Sequence, residues 1–149
     1  MSANLIEQWH QAARPTPSEH DFNVQVGCHV EEFIEMLDSV ECRIGTFEHS
    51  SHDFNVLKDL LTALSNGLKK NKIRLNIKDR NAFLDSIADQ VVTAIGCGHC
   101  AGMQTSEAIR RVNASNWSKF DDNEQPIRDA NGKIAKGPNY QPPSLEGLF

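Results

Sequence analysis

The sequence predicts an all-α fold: a helical bundle of about four core helices with an irregular C-terminal arm. Two observations lead to this prediction. Apolar residues recur at three- and four-residue spacing through most of the first 119 residues, which is the period of an amphipathic helix. From Phe120 onward this periodicity gives way to the turn-forming pairs Asn-Gly, Gly-Pro and Pro-Pro. No domain boundary is visible, so residues 1–149 are expected to form a single domain.

The first two predicted helices are separated by a proline-containing break. The first covers Ala3–Ala13 and stops before two prolines, which remove backbone donors. The second begins at Phe22 or Asn23 and runs to Cys42, and Gly45 is its expected stop. Its apolar positions share one face of the helix: Val26, Val30, Phe33, Leu37 and Val40.

The remaining helices follow at similar intervals. A third begins at Phe54 and ends near the lysine-rich run 69–72, after which Ile73–Ile77 alternates as a short strand would. The fourth runs from Asp79 to about Ala101 and is apolar on most of its circumference, which predicts a central position. The fifth runs from Thr105, its expected N-cap, to about Lys119. In the arm, Asn131-Gly132 is a tight-turn pair that could join two short hairpin strands.

Composition excludes several classes of protein. The formal net charge is −5, and an acidic chain is a poor default binder of nucleic-acid backbones. No apolar run approaches the ~18 residues of a membrane span, and the N-terminus does not read as a secretory signal. The four cysteines are therefore expected as reduced thiols in the cytoplasm, and neither nucleic acid nor membrane is an expected partner.

Carboxylates are concentrated on the second predicted helix. At about 100° per residue, Glu31, Glu35 and Asp38 lie on one line, and Glu32 neighbours Glu35 at a spacing of three. The helix is therefore half apolar and half anionic. Because glutamate-rich helix faces are usually solvated surface, this helix alone does not require a ligand.

The fourth helix repeats the acidic pattern within an apolar segment. Asp85 and Asp89 are four residues apart on one face, and no Lys or Arg lies between Arg80 and Arg110. Carboxylates buried in such a helix would need protonation, a partner cation or a metal. Two such helices facing each other would suit a divalent cation, and oxygen ligands favour Mg²⁺ or Mn²⁺. A metal site and an acidic surface both stay open on these residues alone.

Taken together, the acidic motifs resemble a known family. Glu31-Glu32-x-x-Glu35, followed about fifty residues later by an acidic pair, resembles the MazG-like, all-α NTP pyrophosphohydrolase superfamily. The resemblance is closer to the phage and bacterial branch related to phosphoribosyl-ATP pyrophosphohydrolase. Two further segments carry it, VNASNWSK at 112–119 and GKIAKGPNYQPP at 132–143, and it extends from Leu5 to Leu145.

This resemblance implies an activity. It implies hydrolysis of a nucleoside triphosphate, with a purine deoxynucleotide as the expected substrate, to the monophosphate and pyrophosphate. It also implies Mg²⁺ as cofactor, for which Mn²⁺ may substitute, a homodimer or homotetramer, and a connector rather than a strand at Ile73–Ile77.

The resemblance also assigns roles to individual residues. Glu31 would position or deprotonate the attacking water, and Glu35 would share in catalysis. Four residues occupy the expected Mg²⁺ ligand positions: Glu32, Glu35, Asp85 and Asp89. Asp85 departs from the pattern, because many members carry a glutamate where this chain has Ser86. The candidate substrate contacts, with Trp9 as a base-stacking residue, are Trp9, Asn116, Lys119, Lys136 and Tyr140.

Features of the sequence also raise three alternative functions. Phosphoribosyl-ATP hydrolysis in histidine synthesis is disfavoured by the long Pro-rich tail, and a non-catalytic nucleotide or metal sensor would use the same scaffold. Cys97-Gly98-His99-Cys100 matches the Cys-x-x-Cys pattern of disulfide oxidoreductases. It lies late in a predicted helix, however, where the dipole opposes a thiolate, so redox function is disfavoured.

Overall fold

The computed structural model describes residues 2–38, 50–130 and 133–149. Within these ranges the chain forms five α-helices: α1 (Ser2–Ala13), α2 (Glu19–Asp38), α3 (Ser50–Lys69), α4 (Arg80–Cys100) and α5 (Thr105–Trp117). The described part of the arm adds two isolated antiparallel bridges and no sheet. The all-α prediction is therefore confirmed. The predicted helix end at Cys42, the stop at Gly45 and the turn at Asn131-Gly132 lie outside the described residues.

The chain divides into two compact units. Unit 1 comprises residues 1–16, 76–129 and 134–149, and so holds α1, α4, α5 and most of the arm. Unit 2 comprises residues 17–75 and 130–133, and holds α2 and α3. Each unit has its own set of helix contacts, between α2 and α3 in unit 2 and from α5 to α1 and α4 in unit 1.

The starts of α2 and α3 and the cap of α5 differ from the predictions, and α3 begins at Ser50 rather than Phe54. α2 begins at Glu19 rather than Phe22, because Ser18 and Asp21 cap its first turn reciprocally. The Asp21 N–H donates to Ser18 Oγ at 3.1 Å, and the Ser18 N–H donates to the Asp21 carboxylate at 3.0 Å. Thr105 is the first residue of α5 and not its N-cap, a position taken by Gln104 without a side-chain hydrogen bond. The start of α4 after Asp79 is as predicted.

Unit 2 is built on a close approach of α2 and α3. A Cβ atom at Gly27 would lie only 3.0 Å from the backbone oxygen of Ser65, so only glycine permits this separation. Ser65 Oγ in turn donates a hydrogen bond to the Gly27 carbonyl at 2.8 Å. Val24 of α2 and Leu68 of α3 are fully buried. A glycine and a buried hydrogen bond therefore contribute to the packing of the two helices.

The segment after α3 is a connector. It contains no strand, which agrees with the expectation for Ile73–Ile77. The buried Asn23 side chain holds it, because Asn23 Oδ1 accepts a hydrogen bond from the Leu75 N–H at 2.8 Å. The Asn23 amide nitrogen donates to the Glu19 carbonyl at 3.0 Å, so both ends of this buried amide are paired.

The core of unit 1 joins α1 to the arm. Trp9 and Ala13 of α1 pack with Phe120 and Ile134 of the arm, and all four side chains are buried. The Arg128 guanidinium donates to the Ala13 carbonyl, which is one of the unpaired carbonyls at the end of α1. The arm is therefore irregular in backbone but ordered by burial and hydrogen bonding.

The prediction that the fourth helix is central is wrong. Among the described helices of unit 1, α4 packs against α5 and not against α1, and it has no buried residue. Leu84 and Val92 are 69% and 67% exposed. A helix that is apolar around its whole circumference is expected to be buried, but the pattern does not indicate which surface buries it. Neither α4 nor any other helix of the described residues has the length and apolar character that crossing a membrane requires.

Candidate functional site

The first acidic residue of the α2 motif is paired with two lysines. Lys69 Nζ lies 2.6 Å from Glu31 Oε1, and Lys133 Nζ lies 3.0 Å from Glu31 Oε2. Sequence reasoning missed both lysines. They lie 38 and 102 residues from Glu31, and no local periodicity reports a contact over such separations.

These lysines keep the Glu31 carboxyl group ionised. Partial burial by itself raises the pKa of Glu31, but the hydrogen bonds from Lys69 and Lys133 outweigh it, and the net pKa lies below the ordinary value. The pKa of Lys133 is raised in turn, chiefly by its hydrogen bond to Glu31. A carboxylate of lowered pKa takes up a proton less readily. Of the two roles expected for Glu31, this geometry favours positioning over deprotonation of water.

We expect Glu31→Gln to reduce the acid sensitivity of the fold. A carboxyl group whose pKa is lowered on folding stabilises the protein above its unfolded pKa, here about 4.5, and this stabilisation is lost as the pH falls through the folded pKa. Between neutral pH and about pH 3, the free energy of unfolding of wild type should therefore fall more steeply than that of the variant. Urea titrations measure this, with the exposed Glu32→Gln as control; parallel curves for wild type and Glu31→Gln would contradict the ion-pair assignment.

The four candidate metal ligands are exposed carboxylates. Glu32 and Glu35 lie on α2 in unit 2, whereas Asp85 and Asp89 lie on α4 in unit 1. None of the four carboxylates forms a hydrogen bond or an ion pair with another described residue. We expected Asp85 and Asp89 to be buried and so to need protonation, a partner cation or a metal. This expectation is wrong, because both side chains are exposed.

Their chemistry nevertheless fits the implied cation. Exposed carboxylates suit Mg²⁺, which binds through one or two carboxylates and keeps several water ligands. The described residues hold no group of three or more His, Cys, Asp or Glu side chains that could bind a metal ion.

The candidate substrate contacts all belong to unit 1. Lys119 Nζ donates a hydrogen bond to Asn116 Oδ1 at 2.7 Å and lies 6.0 Å from the ring centroid of Trp9. Lys136 Nζ lies 4.9 Å from the ring centroid of Tyr140, within cation–π range. The five residues therefore form two contact groups, one around Lys119 and one around Lys136.

Backbone contacts hold the second group against α5. Ser115 Oγ donates to the Gln141 carbonyl at 2.6 Å, and the Gln141 N–H donates to Ser118 Oγ at 2.8 Å. A Cβ atom at Gly137 would lie 3.1 Å from the backbone oxygen of Lys119, so the arm passes close to the end of α5. We refer to Trp9, Asn116, Lys119, Lys136 and Tyr140 together as the α5 cluster.

Trp9 is a core residue of unit 1. It is 6% exposed, and its ring lies 6.1 Å from Phe120 and 4.9 Å from His10, measured between centroids. The Trp9 Nε1 atom is buried and has no hydrogen-bond partner among the described residues. The pKa of His10 is lowered, chiefly by burial and to a smaller extent by the positive charge of Arg14, so this side chain is neutral at pH 7.

The Cys97–Cys100 motif lies at the C-terminal end of α4, as predicted. Both cysteines are free and exposed. At this end of a helix the backbone dipole disfavours a thiolate. The predicted position of the motif late in a helix is confirmed.

Comparisons of the chain with protein-family models, with curated proteins and with solved structures gave no match. The residues and contacts above therefore carry the inference of function.

Proposed function

We propose that the protein is a Mg²⁺-dependent nucleotide pyrophosphohydrolase, which converts a (deoxy)nucleoside triphosphate, with preference for a purine dNTP, to the monophosphate and pyrophosphate. The α5 cluster is the observation that carries this proposal. It comprises two contact groups, one of Lys119 with Asn116 and Trp9 and one of Lys136 with Tyr140. Cationic and amide groups of this kind bind phosphate and sugar oxygens.

In the proposed reaction the protein would act mainly by positioning the substrate and stabilising its charge, and not by forming a covalent intermediate. Phosphoryl transfer to water is catalysed mainly by holding the phosphates and neutralising their developing charge. Lys119 and Lys136 would supply positive charge to the phosphates, and Glu31 would help to position the attacking water. We propose Glu32, Glu35, Asp85 and Asp89 as the residues that hold Mg²⁺. When bound, Mg²⁺ lowers the pKa of a coordinated water and neutralises phosphate charge.

The test is pyrophosphate release from each of the four dNTPs, with and without Mg²⁺. We expect turnover of at least one dNTP that requires the cation. Lys119→Met should lower kcat/KM roughly 10-fold or more, because it removes a charge-assisted hydrogen-bond donor. Lys78→Met, an exposed lysine outside the α5 cluster, is the matched control and should retain wild-type activity.

The other outcomes of this assay separate the rival functions. Nucleotide binding without turnover would favour a sensor. Turnover of phosphoribosyl-ATP in preference to every dNTP would favour the histidine-synthesis reaction. Equal activity of Lys119→Met and Lys78→Met would remove the α5 cluster as the basis of the proposal.

We also propose that two or four copies of the chain associate through α4. The apolar side chains that α4 leaves exposed include Leu84, Val91 and Val92, and contiguous exposed apolar surface of this kind marks association sites. Sedimentation equilibrium at micromolar concentrations should give the mass of a dimer or tetramer of the 16.6 kDa chain. A monomer at all concentrations would contradict this assembly.

The proposed compartment is the cytoplasm. Cys28, Cys97 and Cys100 are free thiols, two of them exposed. Reduced cysteines of this kind are typical of proteins kept in a reducing compartment.

A further inference from the structure

Two serines of α5 bind the backbone of the arm at a single residue, Gln141. The Ser115 hydroxyl donates to the Gln141 carbonyl at 2.6 Å, and the Gln141 N–H donates to the Ser118 hydroxyl at 2.8 Å. Ser118 Oγ in turn donates to the Ser115 carbonyl at 2.7 Å. Both backbone groups of Gln141 and both hydroxyl groups are therefore paired. We refer to Ser115 and Ser118 together as the serine clamp.

Helix propensity does not explain the two serines. Ser115 lies within α5, where alanine is the better helix former, and Ser118 is the C-cap of this helix. A buried hydroxyl group also costs free energy unless it is hydrogen-bonded, and Ser115 is only 7% exposed. The serines are therefore explained by what their hydroxyl groups bind, which is Gln141.

Gln141 is a stiff point of the arm. The ring of Pro142 confines the preceding residue to extended backbone, and Pro142 and Pro143 themselves have fixed φ angles. On the other side of Gln141, the Tyr140 N–H donates to the Gly137 carbonyl at 3.1 Å and closes a tight turn. A clamp on Gln141 therefore holds the whole turn and not one flexible residue.

This turn carries the second contact group of the α5 cluster. Lys136 precedes the turn and is exposed, and its Nζ atom lies 4.9 Å from the ring centroid of Tyr140. Binding an anion through a long side chain costs conformational entropy, and this cost is smaller when the backbone and a neighbouring ring already restrict that side chain. The clamp therefore favours anion binding by Lys136 without contacting the anion.

We infer that Ser115 and Ser118 are positioning residues for anion binding: by holding Gln141 they fix Tyr140 and, through its ring, Lys136. The inference rests on the proposed function, because that function assigns Lys136 to the phosphates of the substrate. It adds two residues that act on the substrate only through others. The probe that tests it is inorganic pyrophosphate, whose binding can be measured without turnover.

The test is a double-mutant cycle on pyrophosphate binding, measured calorimetrically in the presence of Mg²⁺. Ser115→Ala together with Ser118→Ala should weaken binding roughly tenfold, since the pair removes the hydrogen bonds that hold Gln141. Lys136→Met should weaken binding by at least as much. In the Lys136→Met background the serine changes should have little further effect, because they act through Lys136. Losses that multiply in the combined variant would indicate a general structural role and overturn the inference.

Two matched variants separate the hydroxyl group from side-chain size and from the helix. Ser118→Thr keeps the hydroxyl group and should bind pyrophosphate as wild type does, whereas Ser118→Ala should bind it more weakly. Ser106→Ala makes the same exchange at an exposed position of α5 and should be indistinguishable from wild type. Equal weakening by Ser118→Thr and Ser118→Ala would contradict the assigned role of the hydroxyl group.

Amide hydrogen exchange tests the clamp without any ligand. The Gln141 N–H should exchange roughly tenfold faster in Ser118→Ala than in wild type, because it loses its acceptor, while the amides within α5 keep their wild-type rates. An unchanged rate at Gln141 would mean that Ser118 does not hold the arm, and the inference would fail.

The outcomes keep this inference apart from the proposed activity. Pyrophosphate binding that depends on the clamp through Lys136, without hydrolysis of any triphosphate, would support the inference and refute the activity. Hydrolysis of a dNTP by the double serine variant with the KM and kcat of wild type would refute the inference and support the activity. Failure of pyrophosphate to bind to wild type would also refute the inference, even where dNTPs are hydrolysed.

Discussion

Glu35→Gln should lower kcat/KM for dNTP hydrolysis at least ~100-fold while leaving the fold unchanged. The substitution removes the charge of a proposed Mg²⁺ ligand at nearly constant shape. Glu35 is exposed and forms no ion pair with a described residue, so the free energy of unfolding should stay within about 0.5 kcal/mol of wild type. Steady-state kinetics over a range of Mg²⁺ concentrations, with urea unfolding of the same samples, measures both quantities.

The control for this variant is Glu146→Gln, which makes the same change at an exposed position of the arm. It should leave both activity and Mg²⁺ dependence unchanged. If Glu35→Gln turned over substrate at the wild-type rate, Glu35 would not be a metal ligand. If Glu35→Gln lost its fold as well as its activity, the assignment of Glu35 as an exposed residue of α2 would be wrong.

Leu68→Ala should lower the free energy of unfolding by about 2–4 kcal/mol. Leu68 is 0% exposed and packs at the closest point between α2 and α3, where a Cβ at Gly27 would lie 3.2 Å from its own Cβ. Truncation would leave a cavity that the surrounding helices cannot close, because Gly27 and Ser65 already hold the two backbones together. Urea unfolding followed by far-ultraviolet circular dichroism measures the loss.

Leu60→Ala on the same helix is the matched control. Leu60 is 65% exposed, so its truncation removes little buried surface and should change the free energy of unfolding by no more than about 0.5 kcal/mol. Equal losses for the two variants would mean that the buried face of α3 is not the one that carries Leu68.

Helix positions could be predicted because their signals are local. An apolar run predicted that the fourth helix begins near Asp79, and the Asp79 carboxylate caps α4 by accepting hydrogen bonds from the backbone N–H groups of Asn81 and Ala82. The start of α2 was missed although its signal is also local: Ser18 and Asp21 are spaced as a capping box. The prediction instead placed the start of this helix at Phe22 or Asn23, where the apolar pattern begins.

The candidate site could be predicted only in part. Asn116 lies in the last turn of α5 and Lys119 lies just beyond its C-cap, so their contact is local and is suggested by a spacing of three residues. The pairing of Glu31 with Lys133 spans 102 residues and depends on the path of the arm. The two serines that hold Gln141 lie 26 and 23 residues from it, so no local motif could signal this contact.

The all-α class and the order of the five helices follow from the amino-acid sequence. Both depend on spacing within a few turns, where backbone geometry relates sequence position to helix face. Which apolar and charged groups are buried or paired depends on how the helices and the arm pack together. Leu84 on α4 lies exposed and Leu68 on α3 lies buried, although both sit in amphipathic or apolar helices. Burial depends on contacts between distant segments, and hydrophobicity alone does not specify them.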